Sequence, residues 1–215
     1  MATIAIIGGT GFAGGHIRDE ALRRGHVVIS VSRKDSGQPD RPDLVQRTGN
    51  IHDPALVDQM AAESDVLVVA VRAGAQDGIR LVDVIPSLAS AAAAHGTRLG
   101  VVGGAGSLQI TEGGPRVVDM PGFPDAHKGE ALGQADTLTA LELTPENVDW
   151  FYLSPAAQFG AHNPGEATGT YRIGGDVLLG DAAGTSYISG ADYAKAFVDE
   201  IDHPAHPRKR FSVAY

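Results

Sequence analysis

The chain contains no cysteine, which excludes disulfide staples and thiolate chemistry. It also lacks a basic excess: 17 Lys and Arg stand against 26 Asp and Glu, a formal charge of −9, whereas a nucleic-acid partner requires a basic face. No apolar run approaches the length of a membrane span, and the N-terminus enters a strand pattern at once, without a basic n-region, an apolar h-region or a cleavage site. These absences predict a cytoplasmic protein that binds neither nucleic acid nor membrane. A Gly-x-Ser-x-Gly elbow is missing, which argues against a serine hydrolase, and no internal repeat or low-complexity tract divides the 215 residues. One domain is therefore expected over residues 1–215. His203 and His206 have ligand-like spacing, but Pro204 and Pro207 flank them and no third ligand is near, so no metal site is expected. The basic run Arg208-Lys209-Arg210 reads as a solvated strand edge.

What the chain has in quantity is glycine, 28 residues, and the most informative of them open the sequence. Ile4-Ala5-Ile6-Ile7 is an apolar β-branched run followed by Gly8-Gly9-Thr10-Gly11-Phe12-Ala13-Gly14. Gly9-x-Gly11-x-x-Gly14 and Gly8-x-x-Gly11-x-x-Gly14 both match spacings of a dinucleotide-binding turn. A turn of this kind needs a residue without Cβ at its corner, a second where the backbone approaches a pyrophosphate, and a third where the helix packs on the strand. The helix start then points free N–H groups at the anion. Ile17, Ala21 and Leu22 continue the pattern as one helix face, and residues 27–31 form a second strand, which completes a βαβ unit.

Further along, residues 32–37 are polar and turn-rich, at the position where such a fold meets the adenosine ribose. An NAD-specific site presents an Asp or Glu there; this chain presents Arg33 and Lys34, which suit a 2′-phosphate. Leu44–Thr48 reads as a third strand, Asp53 as the N-cap of a helix starting near Pro54, and residues 65–71 as a buried strand. Val71, Arg72 and Ala73 leave the carboxyl end of that strand, where open α/β sheets bind ligands. Residues 79–95 have helical composition, with Pro86 expected to kink the helix or start its second part and Gly96 to close it. Residues 99–102 form the next strand, and the Gly103 to Gly106 loop with Ser107 follows it. A long unperiodic loop over 111–124, a helix over 125–143 and a strand over 149–153 come next. Trp150 and Tyr152 are read as core. Residues 156–189 change to short β-prone pieces, 170–173 and 177–179, and predict a small substrate lobe. A helix over 192–201 and a last strand over 210–214 end the chain.

Taken together the chain resembles the atypical short-chain dehydrogenase/reductase group, NAD(P)-binding Rossmann proteins that include flavin reductases of the biliverdin reductase B type and NmrA-like regulators. The resemblance rests on Gly8-Gly9-Thr10-Gly11-Phe12-Ala13-Gly14, on Val101-Val102-Gly103-Gly104-Ala105-Gly106-Ser107, on Asp149-Trp150-Phe151-Tyr152-Leu153-Ser154-Pro155 and on Asp192-Tyr193-Ala194. It implies an α/β fold, a doubly wound parallel sheet with a small C-terminal lobe. It further implies that Gly8, Thr10, Gly11, Phe12 and Gly14 surround the pyrophosphate, that Arg33 meets the 2′-phosphate of NADPH, and that Asn50, Ile51 or Asp53 lies near the adenine.

The chain departs from this family at the chemistry. Active short-chain dehydrogenases use Tyr-x-x-x-Lys to pass a proton to the substrate oxygen, and none of the five tyrosines here is followed four residues on by lysine. Lys128 stands about where that lysine would, with Pro124 in place of the tyrosine and His127 beside it. Ser107, His127 and Lys128 are the candidates for the reaction site. The expected activity is NADPH-dependent hydride transfer to a conjugated acceptor such as a flavin or quinone, a small-molecule partner that needs no dedicated proton donor. A non-catalytic dinucleotide sensor and a sugar-nucleotide epimerase or dehydratase remain as alternatives.

Overall fold

A computed structural model describes residues 1–35, 37, 39–75 and 78–215 of the chain, so Ser36 of the polar turn after the second strand lies outside the described residues. Among the described residues eight strands form one sheet: β1 (Thr3–Ile7), β2 (Val27–Ser32), β3 (Leu44–Thr48), β4 (Val66–Val69), β5 (Arg98–Val102), β6 (Trp150–Ser154), β7 (Arg172–Gly174) and β8 (Lys209–Ala214). Their order is β3-β2-β1-β4-β5-β6-β8-β7, and every pair is parallel except β7 with β8. The fold is the doubly wound α/β sheet.

Strand periodicity explains the layering. Ile4 and Ile6 turn to one face, against α1 (Phe12–Arg23) and α5 (Gly190–Asp202), while Ala5 and Ile7 turn to the other, against α2 (Pro54–Ala62), α3 (Leu81–His95) and α4 (Asp125–Glu142). β4 splits the same way, with Val66 and Val68 on the first face and Leu67 and Val69 on the second, and so does β6, with Phe151 and Leu153 opposite Trp150 and Tyr152. A strand buried on both faces has no polar alternation, which is why these segments read as continuous apolar runs.

Several expected details differ. Pro86 does not restart its helix: α3 runs unbroken over Leu81–His95 behind Arg80 as N-cap, and Gly96 closes it in the left-handed region at φ 70°. The ring removes one intrahelical bond near the helix start, and burial of Val84, Ile85, Leu88 and Ala92 outweighs that loss. Residues 177–179 do not join the sheet as a strand. Instead Gln109 is clasped there, its N–H donating to the Asp176 carbonyl and its carbonyl accepting from Leu178, each at 2.8 Å. Nor is the basic run at 208–210 a solvated edge, because two of its three side chains are engaged by other parts of the chain. Arg208 donates to the carbonyls of Thr144, Pro145 and Val148, and Arg210 pairs with Asp176 at 2.5 Å, leaving only Lys209 exposed. His206 stacks on Phe211 and lies 2.7 Å from Glu200, which also holds Arg98 at 2.7 Å.

Residues 156–189 contribute β7 and a series of turns, tied down by one carboxylate. Asp192, 2% exposed in the first turn of α5, accepts from the Thr168 N–H at 2.6 Å, the Gly169 N–H at 3.0 Å and the Tyr215 hydroxyl at 2.5 Å. Burial by itself raises the pKa of this carboxyl, but the bonds from Tyr215 and Thr168 outweigh it and hold the group below the ordinary aspartate range. A depressed native pKa adds stability that is present above the unfolded value, near pH 4, and is lost as pH falls through the native one. Asp192→Asn is therefore expected to lower stability by about 1.5–3 kcal/mol at pH 7. The difference should be flat down to about pH 4 and narrow below it, as measured by denaturant titration of both proteins from pH 7 to pH 2.

Candidate functional site

The sheet order reverses beside β1, which has β2 on one side and β4 on the other, and this switch point is where the first cavity opens. Gly8 leaves β1 at φ 96° and its N–H donates to the Val31 carbonyl at 2.8 Å, while the Gly11 N–H returns to the Gly8 carbonyl at 2.9 Å. A Cβ on Gly8 would strike the Ala70 carbonyl, and one on Gly14 would strike the Gly8 carbonyl, so the helix and two strand ends meet with no room for side chains. Gly11 is different. It is the N-cap of α1 in an extended conformation, and the nearest atom to a Cβ there is the Gly8 oxygen at 3.2 Å, with the next at 4.0 Å.

The cleft beside this turn has a volume of about 240 Å³. Gly8, Thr10 and Gly11 form its base, Val31, Ser32 and Arg33 one wall, and Asn50, Ile51 and His52 the far end. Val71 and Arg72 close the side toward β4. Arg33 is exposed and has no hydrogen-bond or ion-pair partner among the described residues. The geometry fits a dinucleotide: the α1 start supplies first-turn N–H groups, Gly11 leaves open space in front of them, and a cation stands at the end of β2 where the ribose would lie.

Some of the expected contacts lie elsewhere. Phe12 packs edge-on against His16 and 5.3 Å from Phe159, off the cleft lining. Gly14 acts through packing, as above. Lys34 is exposed outside the lining, its carbonyl accepting from the Ser32 hydroxyl. Asp53 is the N-cap of α2, accepting from the Ala55 N–H at 3.0 Å, and Ala73 is buried behind the cleft. His52 lines the cleft and was not anticipated; its place beside Asn50 and Ile51 in the same turn was the available signal.

A second cavity, of about 470 Å³, opens past the carboxyl ends of β5 and β6. Its floor is the backbone of residues 103–106, its aromatic walls are Phe123 and Phe159, and His127 and His162 reach it from opposite sides. His127 falls on one helical face with Glu130, Ala131 and Gln134, spaced three, four and seven residues on, so the α4 period identifies residues that the motif search missed. Phe159 and His162 lie in the irregular segment, where no period marks them. Of the other two reaction candidates, Lys128 is half exposed, 3.8 Å from Asp125, and outside the lining. Ser107 is 8% exposed and its hydroxyl accepts from Arg210 at 3.3 Å, also outside the lining, because the loop turns it back toward β8.

Tyrosine hydroxyls are absent from this lining. Tyr152 is fully buried, its hydroxyl donating to Gln134 and accepting from the Gly104 N–H, each at 3.1 Å. Burial raises its pKa well above the usual phenol value. Tyr193 donates to the Leu153 carbonyl at 2.9 Å, and burial raises it likewise.

Residues 8–204 match the NAD(P)H-binding family. The chain belongs to that family. The uncharacterised protein YwnB of Bacillus subtilis is 37% identical over 219 positions, which take in 98% of this chain and 97% of its own. Among solved structures, a protein of Streptococcus pneumoniae named provisionally as an NADH-flavin reductase is 33% identical, with TM-score 0.87, over 100% of this chain and 99% of its own. A provisionally named epimerase of Bacteroides thetaiotaomicron is 30% identical, with TM-score 0.88, over 99% of this chain and 96% of its own. The fold is thus an atypical short-chain dehydrogenase/reductase-like one, and its cofactor is a nicotinamide dinucleotide. Among the described residues no helix is long and apolar enough to cross a membrane.

The glycine geometry separates binding from folding. Gly11→Val is expected to fold with a modest loss of stability, because a Cβ there meets the Gly8 carbonyl oxygen at 3.2 Å, and to lose measurable binding of a nicotinamide dinucleotide by fluorescence titration, because its branch lies before the helix start. Gly14→Val places its branch against the Gly8 carbonyl and is expected to lose stability as well, by about 1–3 kcal/mol.

Proposed function

We propose that the protein is an NADPH-dependent reductase of conjugated ring acceptors, of the flavin or quinone type. The observation that carries this reading is the second cavity: a largely apolar, aromatic-walled space beside the dinucleotide cleft whose lining holds two histidines and no tyrosine. Its size suits a planar ring system. When bound, a reduced nicotinamide supplies a hydride. The chain's own part is to hold that ring and the acceptor face to face, between the backbone of 103–106 and the side chains of Phe123 and Phe159, and to exclude water from the gap.

Proton supply favours the same acceptor class. Reducing an isolated ketone leaves an alkoxide that must be protonated in or near the transition state, a service worth roughly 10²–10⁴ in rate when a positioned acid supplies it. Tyr152 and Tyr193 are sequestered by burial and hydrogen bonds and do not supply it. A flavin or quinone spreads the incoming charge over its rings and takes its proton from solvent, with His127 or His162 at hand as carriers. The same absence weighs against an epimerase or dehydratase, which also withdraws hydrogen from an alcohol carbon. The name of the Streptococcus pneumoniae relative adds support from outside the chain.

Arg33 sets the proposed preference for NADPH. A guanidinium on the 2′-phosphate contributes about 1.5–3 kcal/mol, which corresponds to roughly ten- to a hundredfold in affinity over NADH. Arg33→Ala should remove most of that ratio by weakening NADPH alone; equal affinities in the parent protein would reject the assignment. The activity test is NADPH oxidation across FMN, menadione, simple ketones and sugar nucleotides. Turnover of FMN or menadione with negligible rates for the others is expected. Turnover confined to ketones or sugar nucleotides rejects the acceptor class, and NADPH binding without oxidation by any acceptor identifies a sensor.

A further inference from the structure

The chain segment that leaves β4 borders the dinucleotide cleft and is bonded to the helix that lines the second cavity. Val71 and Arg72 face the dinucleotide cleft, and the Ala70 carbonyl is the surface against which Gly8 packs. The next two residues have their backbone N–H groups occupied by a single side chain. Glu130 accepts from the Ala73 N–H through one carboxylate oxygen and from the Gly74 N–H through the other, each at 2.9 Å. Gln134, one turn further along α4, donates to the first oxygen at 3.3 Å, and its own carbonyl oxygens accept from the Tyr152 hydroxyl in the core.

Two features show that α4 and this segment are built to meet. Gly133 allows the approach: a Cβ there would lie 2.9 Å from the Ala73 carbonyl oxygen. That same oxygen accepts from the Leu81 N–H at the start of α3, so the Ala73–Gly74 peptide is held at both its carbonyl and its N–H. Meanwhile Glu130 lines the acceptor cavity, on the helix face that carries His127. The Glu130 carboxylate thus has a backbone donor on each of its two oxygens. Its geometry is that of a clamp.

We propose that Glu130 is a positioning residue: it holds residues 70–74 in the shape that completes the dinucleotide cleft, and so fixes the cleft wall to the helix that forms the acceptor cavity. The proposal rests on the nicotinamide-dependent reading of the cleft and adds to it a residue that acts through the backbone of Ala73 and Gly74. Charge-assisted bonds to both amides are what the clamp requires. Glutamine offers one oxygen, and its NH₂ group would face the second amide donor to donor.

The test compares the parent protein with Glu130→Gln by amide hydrogen exchange followed by NMR, together with NADPH titration by fluorescence. In the parent, the Ala73 and Gly74 amides should exchange slowly compared with those of exposed loops. In the variant their exchange should rise roughly tenfold while the sheet amides of Leu67 and Val68 are unchanged, and the Kd for NADPH should rise by roughly the same factor. A folded variant with parental exchange at 73 and 74, or with faster exchange there and parental affinity, overturns the proposal. Should Glu130→Gln fail to fold, the parent alone still decides: Ala73 and Gly74 amides that exchange at unprotected rates refute the clamp. A parent protein that binds no NADPH would instead refute the cofactor reading, so the two failures are distinct.

Discussion

The contact on which the rest of the structure depends is the approach of the first turn of α1 to the ends of β1 and β4. Gly14 sits against the Gly8 carbonyl and Gly8 against the Ala70 carbonyl, so three backbone segments share a space that admits no Cβ. This closeness turns the helix start toward the switch point, and it is why the cleft has backbone N–H groups for its base rather than side chains. The adjoining sheet must then be rigid, because a shift of a few tenths of an ångström at any of the three segments would open or block the turn. The two apolar layers that enclose β1 and β4 provide that rigidity through close packing.

Helix α4 serves two environments with one sequence. Leu138 and Leu141 are buried in the layer shared with α3, whereas His127, Glu130 and Gln134 face the acceptor cavity. A helix divided in this way has a weak apolar stripe over its first half, and its position there is fixed by polar contacts instead: Glu130 to the segment after β4, Gln134 to Tyr152. Such bonds are directional in a way that apolar packing is not, so they set orientation as well as distance. That suits a helix whose residues border a reaction site.

The sequence revealed those parts of the site that depend on backbone geometry. Gly8 and Gly14 are legible because only glycine meets their steric demands, Gly11 because of its spacing between them, and β3 was found at Leu44–Thr48 with its observed limits because its flanks are turn residues. Arg33 was legible because the strand ending at Ser32 leads straight into the cleft wall. What sequence reasoning missed depends on direction in space. Ser107 follows a glycine loop that does line the cavity, yet the chain reverses there and Arg210, a hundred residues away in sequence, receives the hydroxyl. Arg208 and Arg210 looked like an edge because their partners, the carbonyls of Thr144, Pro145 and Val148 and the carboxylate of Asp176, are distant in sequence. Phe159 and His162 reach the cavity from a segment without period, where tertiary contacts decide placement: the Ala157 and Gln158 N–H groups donate to Ser186, and Phe159 packs on Phe12 and Tyr193.

The tyrosines show why composition alone is a poor guide to chemistry. Four of the five form hydrogen bonds that hold the fold together: Tyr152 under the Gly104 turn, Tyr193 on the β6 carbonyl of Leu153, Tyr171 on Asp199, and Tyr215 on Asp192. The fifth, Tyr187, stacks edge-on against Tyr215 in the same lobe. The buried hydroxyls of Tyr152 and Tyr193 are unavailable as proton donors, since breaking either bond would leave a buried polar group without a partner at a cost of about 1–3 kcal/mol. A protein that uses its phenols for architecture narrows its own chemistry. On the function proposed above, it brings two ring systems together and depends on the acceptor's own electronic structure to take up the charge that a proton donor would otherwise neutralise.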